Sequence, residues 1–518
     1  MRHALKSHPA QRRDGDPRRA AGGAMRRRMA PVALAVAVPA ALTAAAGGSV
    51  LAAAGPAAAA VPSATVARCT DTWVGKALRP LWTLARNWSN GVPGRSSDVC
   101  ITLTGAEVST GVSVKIHSLQ LGQADSLALA GNDVKRVTAT VATFVDLTPG
   151  GTSLLSMNNA TVKAAKINNQ GGIIFTVGAC DLDSPDVVLG QGATMKDASG
   201  TTTLQSLPQL SNGTLTGASF TTETSDTFFV LPGDITHLVS SAIDLSGGSA
   251  IQDPNGNDAL AGLTSVDAQS SLEDGSNLAL TGSSFTADGN VTFSGAVSLA
   301  GPYTQAAGTL SLLGIGVLSA SPVTIAGGAA LSGTGVIGRD LVNDGTVRPS
   351  GGTIQVDGSY TQGTNAVLES GFGDTLAVSR VATLAGEAAL SRPGTPPGNE
   401  SPLITFGSLS GNFTSHSLGI SLFTKVSQID ARTVPQIAVS PAAVTPGGAV
   451  TVTGASFNVQ ATIFLDHVTG TPLATVVVPD SGAFSVPVMI PVTAKDGRHT
   501  LIAVGDDGSR ASVTITVS

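Results

Sequence analysis

The chain has 518 residues, with 29 basic and 35 acidic side chains and a formal net charge of −6. Only 12% of the residues are charged and 4% are aromatic, whereas glycine occupies 62 positions. Average globular proteins are about a quarter charged, so this composition excludes a fold of helices coated with Lys, Glu and Arg. The acidic balance also disfavours a phosphate backbone as partner, and we expect no nucleic-acid binding.

The first 60 residues have the pattern of a secretory signal. Arg26–Arg28 precede a long Ala/Val/Leu run, and small residues complete the segment at Ala58–Ala60, with Met25 as an alternative start. A basic start, an apolar centre and an A-x-A exit predict a signal peptide at residues 1–60. The alternative is a membrane anchor, because the apolar run is long enough to span a bilayer. Cleavage would leave a net charge of about −13. It predicts a secreted, extracellular protein without integral membrane association, either released or held non-covalently at a cell surface.

Residues 61–100 contain all three tryptophans of the chain, Trp73, Trp82 and Trp88. A stack of strands exposes an apolar end to water unless another segment covers it. Each large aromatic ring buries on the order of 150–250 Å², so we interpret this segment as an N-terminal cap. Stacking on sugars is the alternative use of the same rings.

Three cysteines, Cys69, Cys100 and Cys180, follow the signal segment. Export permits disulfides. Cys69 and Cys100 flank the tryptophan-rich segment, so we predict that they form a disulfide and that Cys180 is free and buried. A bond between Cys100 and Cys180 is the alternative, which spacing alone does not exclude.

From residue 101 to residue 435, short runs alternate apolar and polar side chains, as at Val112–Ile116 and Thr353–Val356. Glycine, asparagine or aspartate returns about every 8–12 residues, which predicts short strands joined by turns. Both tyrosines lie in one repeated tripeptide, within Gly301–Gln305 and Gly358–Gln362. We predict a parallel β-solenoid of roughly 12–17 coils, interrupted by a Pro-rich loop at residues 392–399. Several β-sandwiches in series are the alternative.

Residues 436–518 contain six or seven short strand-like runs separated by turn residues, which predicts a small immunoglobulin-like β-sandwich. The fold class that we expect is therefore all-β: a parallel β-helix or solenoid followed by this sandwich.

Three stretches carry a resemblance to known families. Between Gly301 and Gly386 the chain runs through G-T-G, N-D-G-T-V, P-S-G, Y-T-Q and D-T-L-A-V, with Arg380 where a small glycine is usual. This succession resembles the coils of secreted β-helical, autotransporter passenger-like surface proteins. Asn87–Gly94 resembles the entry segment of such proteins, and Pro441–Gly454 resembles the opening of bacterial immunoglobulin-like modules. The resemblance implies a scaffold with adhesive function, since these families share no common active site.

Asp181, Asp183 and Asp186 form the densest acidic group of the chain. On β-helical lyases and hydrolases, carboxylates on adjacent coils bind calcium or act as acid and base. Here Leu182 and Pro185 interrupt the group, and the next nine residues supply no Arg or Lys partner. We keep the three aspartates as weak metal candidates.

Asp253, Asn255 and Asn257 place oxygen atoms at alternate positions, as a calcium loop does. Asp258 stands where an EF-hand needs glycine, and Thr264 stands where it needs glutamate, so a plain turn is the simpler interpretation. Gly333–Gly338 has the spacing of a dinucleotide loop, but the residues after it do not form a helix. We expect no cofactor, no catalytic site and no firm metal site.

Two functional interpretations remain. The first is a secreted structural or adhesive surface protein, not an enzyme, that binds glycans or other extracellular surface components through an extended solenoid face. The second is a polysaccharide-active lyase or hydrolase on the same scaffold, which would need several charged side chains to converge in one groove. The low density of charge favours the first.

Overall fold

The computed structural model describes residues 69–132, 134–148, 152–190, 192–390, 398–479 and 481–518. The predicted signal segment at residues 1–60 and most of the Pro-rich loop lie outside these ranges. The described residues form fifty β-strands and one 3-10 turn, Ala85–Asn87. This strand content confirms the predicted all-β class. No helix among the described residues is long and apolar enough to cross a membrane.

Parallel strands stack into three faces of a β-solenoid of about 14 coils, which agrees with the predicted coil number. The strands of the first face pair in succession from one end to the other. They are Glu107–Thr110, Ser126–Ala130, Leu154–Asn158, the first halves of Ile173–Asp183 and Thr194–Leu204, Ser219–Thr222, Ala242–Leu245, Ser271–Asp274, Asn290–Phe293, Thr309–Leu312, the first halves of Ala330–Ile337 and Thr346–Val356, Val367–Ser370, Glu387–Leu390 and Ser415–His416.

The second face is built in the same way from shorter strands, except that among the described residues Ala250–Gln252 does not pair with Leu278–Leu280. Four long strands bend from the first face into it. Its strands are Val114–Ile116, Val137–Val141, Ala160–Lys163, the second halves of the four long strands, Phe228–Val230, Ala250–Gln252, Leu278–Leu280, Ala296–Leu299, Val317–Ser319, and the first halves of Thr375–Leu384 and Glu400–Gly411.

The third face has two parts. Its upstream part is a separate six-stranded sheet: Asp71–Thr72, Asp98–Ile101, Ser118–Leu121, Phe144–Leu147, Lys166–Asn169 and Val187–Leu189. A hairpin of Leu210–Ser211 with Thr214–Thr216 begins the downstream part. That part continues through His237–Val239, Ser265–Val266, Phe285–Ala287, Tyr303–Gln305, Val323–Ile325, Leu341–Asn343, Tyr360–Gln362, and the second halves of Thr375–Leu384 and Glu400–Gly411.

The core of the solenoid follows from the two-residue period of the strands. On the first face, Val291, Leu310, Leu331, Val347 and Leu368 occupy successive partner positions, and all are fully buried. The residue on each side of these positions points outward. Each coil therefore adds one layer of branched aliphatic side chains to a continuous core.

Close stacking at the corners requires glycine. A Cβ atom on Gly301 would lie 1.8 Å from the carbonyl oxygen of Ser283 on the preceding coil. Gly333 has a φ of +99°, and its Cβ atom would lie 2.0 Å from the carbonyl oxygen of Leu312. Gly333, the first glycine of the apparent dinucleotide loop, is therefore required by the corner geometry, because a side chain would collide with the preceding coil.

The repeated tyrosine tripeptides satisfy buried polar groups at one corner. Tyr303 donates a hydrogen bond to Gln305 Oε1 (2.6 Å), and Gln305 Nε2 donates to the carbonyl oxygen of Gly289 (2.7 Å). Tyr360 donates to Gln362 Oε1 (2.7 Å) in the same manner. Both phenols are fully buried, and burial raises their pKa values. Fully paired buried networks of this kind fix one register of the coils.

The three tryptophans belong to the buried core of the solenoid, and their role as its N-terminal cap stays a prediction. All are buried, with Trp88 between Trp73 (centroids 5.0 Å apart) and Trp82 (4.7 Å) in edge-to-face contacts. Trp88 Nε1 donates to the carbonyl oxygen of Trp82 (2.7 Å). Buried rings are not accessible for stacking on sugars. Beside them, the disulfide between Cys69 and Cys100 confirms the predicted pair.

The solenoid ends in two antiparallel strands: Ile420–Thr424 pairs with Gln428–Thr433, which in turn pairs with Glu400–Gly411. Two small sheets follow and share one core that runs from Ile437 to Val517. The first sheet contains Gln436–Ser440, Ala449–Ala455 and Phe484–Met489; the second contains Ala443–Val444, Arg510–Val517, Gly497–Gly505, Gln460–Leu465 and Ala474–Val477. Two sheets around one core fit the predicted β-sandwich, and its immunoglobulin-like class stays a prediction. The domain boundary at residues 435 and 436 stays a prediction.

Candidate binding face

One outward position of the third face is occupied by hydroxyl side chains on most of ten successive strands. We call this set the threonine column; each member is the parallel register partner of the next. Its members are Thr214, His237, Ser265, Thr286, Thr304, Thr324, Val342, Thr361, Thr383 and Ser410. At a strand spacing of about 4.8 Å, nine intervals give a length of about 43 Å.

The core dictates that this position points outward. In Tyr303–Gln305 the outer two residues are buried, so the central Thr304 faces solvent, and Thr361 has the same position in Tyr360–Gln362. Thr286 and Thr383 are exposed, and Thr304 and Thr324 are half-buried. β-Branched residues suit such half-buried strand positions.

The hydroxyl groups of the column are unused by the fold. Within the described part of the chain, no protein hydrogen bond involves the side-chain hydroxyls of Thr286, Thr304, Thr324, Thr361 or Thr383. Each hydroxyl supplies one donor and two acceptor positions. Small residues follow three of these strands, Ala306, Ala326 and Gly363, so little side-chain bulk rises beside the column.

The upstream sheet of the same face has a different chemistry. Its corresponding positions include Asp146 and Asn168, and Asn168 Nδ2 donates to Asp146 Oδ1 (2.9 Å). Burial raises the pKa of Asp146. Asp98 accepts hydrogen bonds from Ser118 and His117, which lower the pKa of Asp98. Here the polar groups bind one another, unlike those of the threonine column.

The predicted acidic group is divided among three surface ion pairs. Asp181 pairs with Arg136 (2.9 Å). Asp183 pairs with Lys163 (2.5 Å), and Asp186 pairs with Lys166 (3.0 Å). The following nine residues supply no Arg or Lys, and the partners come from preceding coils instead. In the sequence, a basic and an acidic residue about one coil apart, as Lys163 and Asp183 are, would indicate such an ion pair.

The predicted calcium-like loop folds as a closed turn. Asp253 Oδ1 accepts the backbone N–H groups of Asn255 and Asn257 (2.8 Å each), and Asp253 Oδ2 accepts their side-chain amides (3.2 and 3.0 Å). These bonds, led by that of Asn257, lower the pKa of Asp253. The carboxylate is already surrounded by donors, as in an Asx turn. Among the described residues, no group of three or more His, Cys, Asp or Glu side chains is arranged to hold a metal ion.

A buried carboxyl group lies inside the solenoid, where sequence reasoning placed none. Asp197 is fully buried; its Oδ2 accepts from Thr202 Oγ1 (2.7 Å), and its Oδ1 accepts from the N–H of Ser199 (3.1 Å). Burial raises the pKa of Asp197 to about 6. Cys180 is a free, buried thiol whose pKa burial also raises. The signal for Asp197 is its place in Thr194–Leu204, two residues after the inward Met195.

No protein-family model matches the chain, and no curated protein is significantly similar to it in sequence. The structure shows the β-solenoid architecture, and the resemblance to β-helical surface proteins stays a prediction. It assigns no family and no shared site residues.

Proposed function

We propose that the chain is a secreted structural or adhesive protein that binds an extended glycan along the threonine column. The single observation that carries this proposal is the alignment of unused hydroxyl groups over about 43 Å of one face. The disulfide between Cys69 and Cys100 supports an oxidising, extracellular location.

A repeating surface suits a repeating partner. One neutral hydrogen bond contributes only about 0.5–1.5 kcal/mol, so a single hydroxyl binds a sugar weakly. A polymer that reaches several coils makes later contacts intramolecular, which raises the overall affinity without any deep pocket. Uncharged hydroxyl groups favour an uncharged polysaccharide as the occupant.

The test is binding of the protein to immobilised polysaccharides, followed by titration with the polymer that binds best. Thr→Val keeps the shape and strand preference of the side chain and removes only the hydroxyl. We expect the triple variant T304V/T324V/T361V to lose at least tenfold in affinity, because three hydrogen bonds together exceed about 1.4 kcal/mol.

A matched control removes three hydroxyl groups from the first face, where Thr292, Thr309 and Thr346 also point outward. The variant T292V/T309V/T346V should bind within about twofold of the unmodified protein. An equal loss of polysaccharide affinity in both triple variants, or no loss in either, would reject the column as the binding face.

A second candidate function is polysaccharide cleavage, which one pair of carboxylates favours. Asp244 and Glu273 are register partners on adjacent coils of the first face. Burial raises both pKa values, and Asp244 raises that of Glu273 further. Neighbouring carboxylates about 5 Å apart serve as nucleophile and acid in retaining glycosidases. Depolymerisation by the unmodified protein, abolished in D244N and in E273Q, would replace the adhesive proposal.

A further inference from the structure

A shallow, open cavity of about 560 Å³ lies on the outer side of the second C-terminal sheet. Leu501 and Ala503 of the strand Gly497–Gly505 point into the sandwich core, so the alternate residues Thr500 and Ile502 face the cavity. The neighbouring strand adds Arg510 and Ser512, and Ser512 is the register partner of Ile502. The volume lies within the 300–1,000 Å³ of ordinary small-ligand sites.

One wall of the cavity is held in place by a charged pair. This wall is the loop that begins at Asp466, whose φ is 59°. Asp466 Oδ1 accepts the N–H of Thr500 (2.9 Å), and His499 Nδ1 lies 2.7 Å from Asp466 Oδ2. His499 Nε2 lies 2.7 Å from the carbonyl oxygen of Lys495. Both ring nitrogens face acceptors, an arrangement that the doubly protonated imidazolium satisfies; in that form the ring donates twice and neutralises Asp466.

Arg510 is left as the uncompensated charge of the cavity. It forms no ion pair with any carboxylate in the part of the chain that the structure describes. The guanidinium group presents donors in a planar fork that fits a carboxylate with two parallel hydrogen bonds. Around it lie the hydroxyl groups of Thr469, Thr500 and Ser512, with Ile502 as an apolar patch.

We propose that this cavity binds a uronate unit of an acidic polysaccharide. The sugar carboxylate pairs with Arg510, the ring hydroxyls bond to Thr469 and Ser512, and one ring face packs on Ile502. This site is separate from the threonine column and selects for a negative charge, so it goes beyond the function proposed above.

The sheet itself argues for a sugar rather than an acidic peptide. Peptides often bind by adding a strand to an open sheet edge. Gly497–Gly505 pairs on one side with Gln460–Leu465 and on the other with Arg510–Val517. Arg510–Val517 is covered in turn by Ala443–Val444 along part of its length. The cavity therefore opens over paired strands, where side chains and not main-chain groups meet the ligand.

The test is calorimetric titration of the full chain with a galacturonic acid trisaccharide, with its uncharged methyl ester, and with a short poly-glutamate peptide. We expect the acid to bind and the ester to bind at least tenfold more weakly, since charged hydrogen bonds contribute about 1.5–3 kcal/mol. R510Q should lose at least tenfold in affinity for the acid, and R510K should lose less, because it keeps the charge without the fork.

The matched control is R498Q, which removes an exposed arginine from the same strand but outside the cavity. R498Q should bind the acid within about twofold of the unmodified protein. T304V/T324V/T361V should also bind the acid within about twofold, because these substitutions affect binding at the threonine column alone. Equal binding of acid and ester, equal losses in R510Q and R498Q, or no binding of the acid would overturn the site. Peptide binding as tight as that of the trisaccharide would overturn its assignment to a sugar.

Discussion

Replacing Asp197 with asparagine should stabilise the protein at neutral pH. Asp197 is fully buried among Thr176, Thr202 and Ser199, and no cation of the described residues forms an ion pair with its carboxyl group. Thr202 Oγ1 lies 2.7 Å from both Asp197 Oδ2 and Thr176 Oγ1, and Thr176 Oγ1 donates to the carbonyl oxygen of Lys196 (3.1 Å). One hydroxyl proton cannot serve both of the acceptors near Thr202.

A protonated carboxyl group resolves this conflict. The proton on Asp197 is donated to Thr202, Thr202 donates to Thr176, and Thr176 donates to Lys196, so every link of the chain is made. An asparagine amide at position 197 donates in the same direction without a charge. The ionised carboxylate leaves one link unmade. Its burial is the physical reason for its raised pKa, and the hydrogen bonds that it accepts offset only part of that effect.

The magnitude follows from the shift in pKa. Burial raises the pKa of Asp197 from 3.8 to about 6, which corresponds to about 3 kcal/mol at most. Because the folded pKa lies above the unfolded one, the folded state binds the proton more tightly. The contribution of the protonated Asp197 carboxyl group to stability is present below about pH 4 and is lost as the pH rises through 6. D197N should therefore match the unmodified protein at pH 4 and exceed its stability by about 1–3 kcal/mol at pH 7.5.

The assay is urea unfolding followed by far-ultraviolet circular dichroism at several pH values from 4 to 7.5. Other carboxyl groups titrate equally in both proteins, so the difference between them isolates Asp197. The control D183N breaks only a surface pair with Lys163 and should lose at most about 1 kcal/mol. A difference between D197N and the unmodified protein that does not change with pH, or a less stable D197N at pH 7.5, would refute the reasoning.

Three further measurements test the corners, the sandwich and the two binding sites. G301A should lower the free energy of unfolding in urea by about 1–3 kcal/mol, since its Cβ atom would lie 1.8 Å from the Ser283 carbonyl oxygen. G233A, with no atom within 4 Å of the added Cβ, is its control and should change little. Asp466 raises the pKa of His499, so the pair's small contribution to stability should be full below about pH 6.5 and lost as the pH rises through the raised value. H499N should remove this loss, and an unchanged pH profile would contradict it. Added salt should weaken uronate binding while leaving binding to the column nearly constant.

The sequence predicts the solenoid well, because its two-residue period is a direct record of which side chains face the core. Val291 and Leu310 lie inward for the reason that the alternation gives. The threonine column was not predictable in the same way. Its members recur at unequal distances: His237 and Ser265 are 28 residues apart, whereas Thr286 and Thr304 are 18 apart. Loops of different length between strands hide a register that only the stacked coils reveal.

The chemistry of the acidic residues was harder to predict than their positions. The sequence places Asp181 and Asp183 on one side of a strand but does not show that Lys163 lies beside Asp183 on the preceding coil. The buried Asp197 resembles any polar turn residue until its strand is aligned with its neighbours. In a solenoid the partner of a residue is about one coil away along the chain, so local sequence motifs carry little information about ion pairs or sites.

Salt distinguishes the two proposed binding sites because they rely on different forces. Hydrogen bonds from uncharged hydroxyls, such as those of Thr304 and Thr361, carry no net charge for ions to screen. The attraction between the exposed Arg510 and a carboxylate is screened, since the Debye length falls from about 10 Å at 0.1 M salt to about 3 Å at 1 M. Titrations of one acidic and one neutral polysaccharide across this range should show a falling affinity for the first alone. A falling affinity for both would mean that the column also recognises charge, and the upstream carboxylates near Asp146 would then be the residues to mutate next.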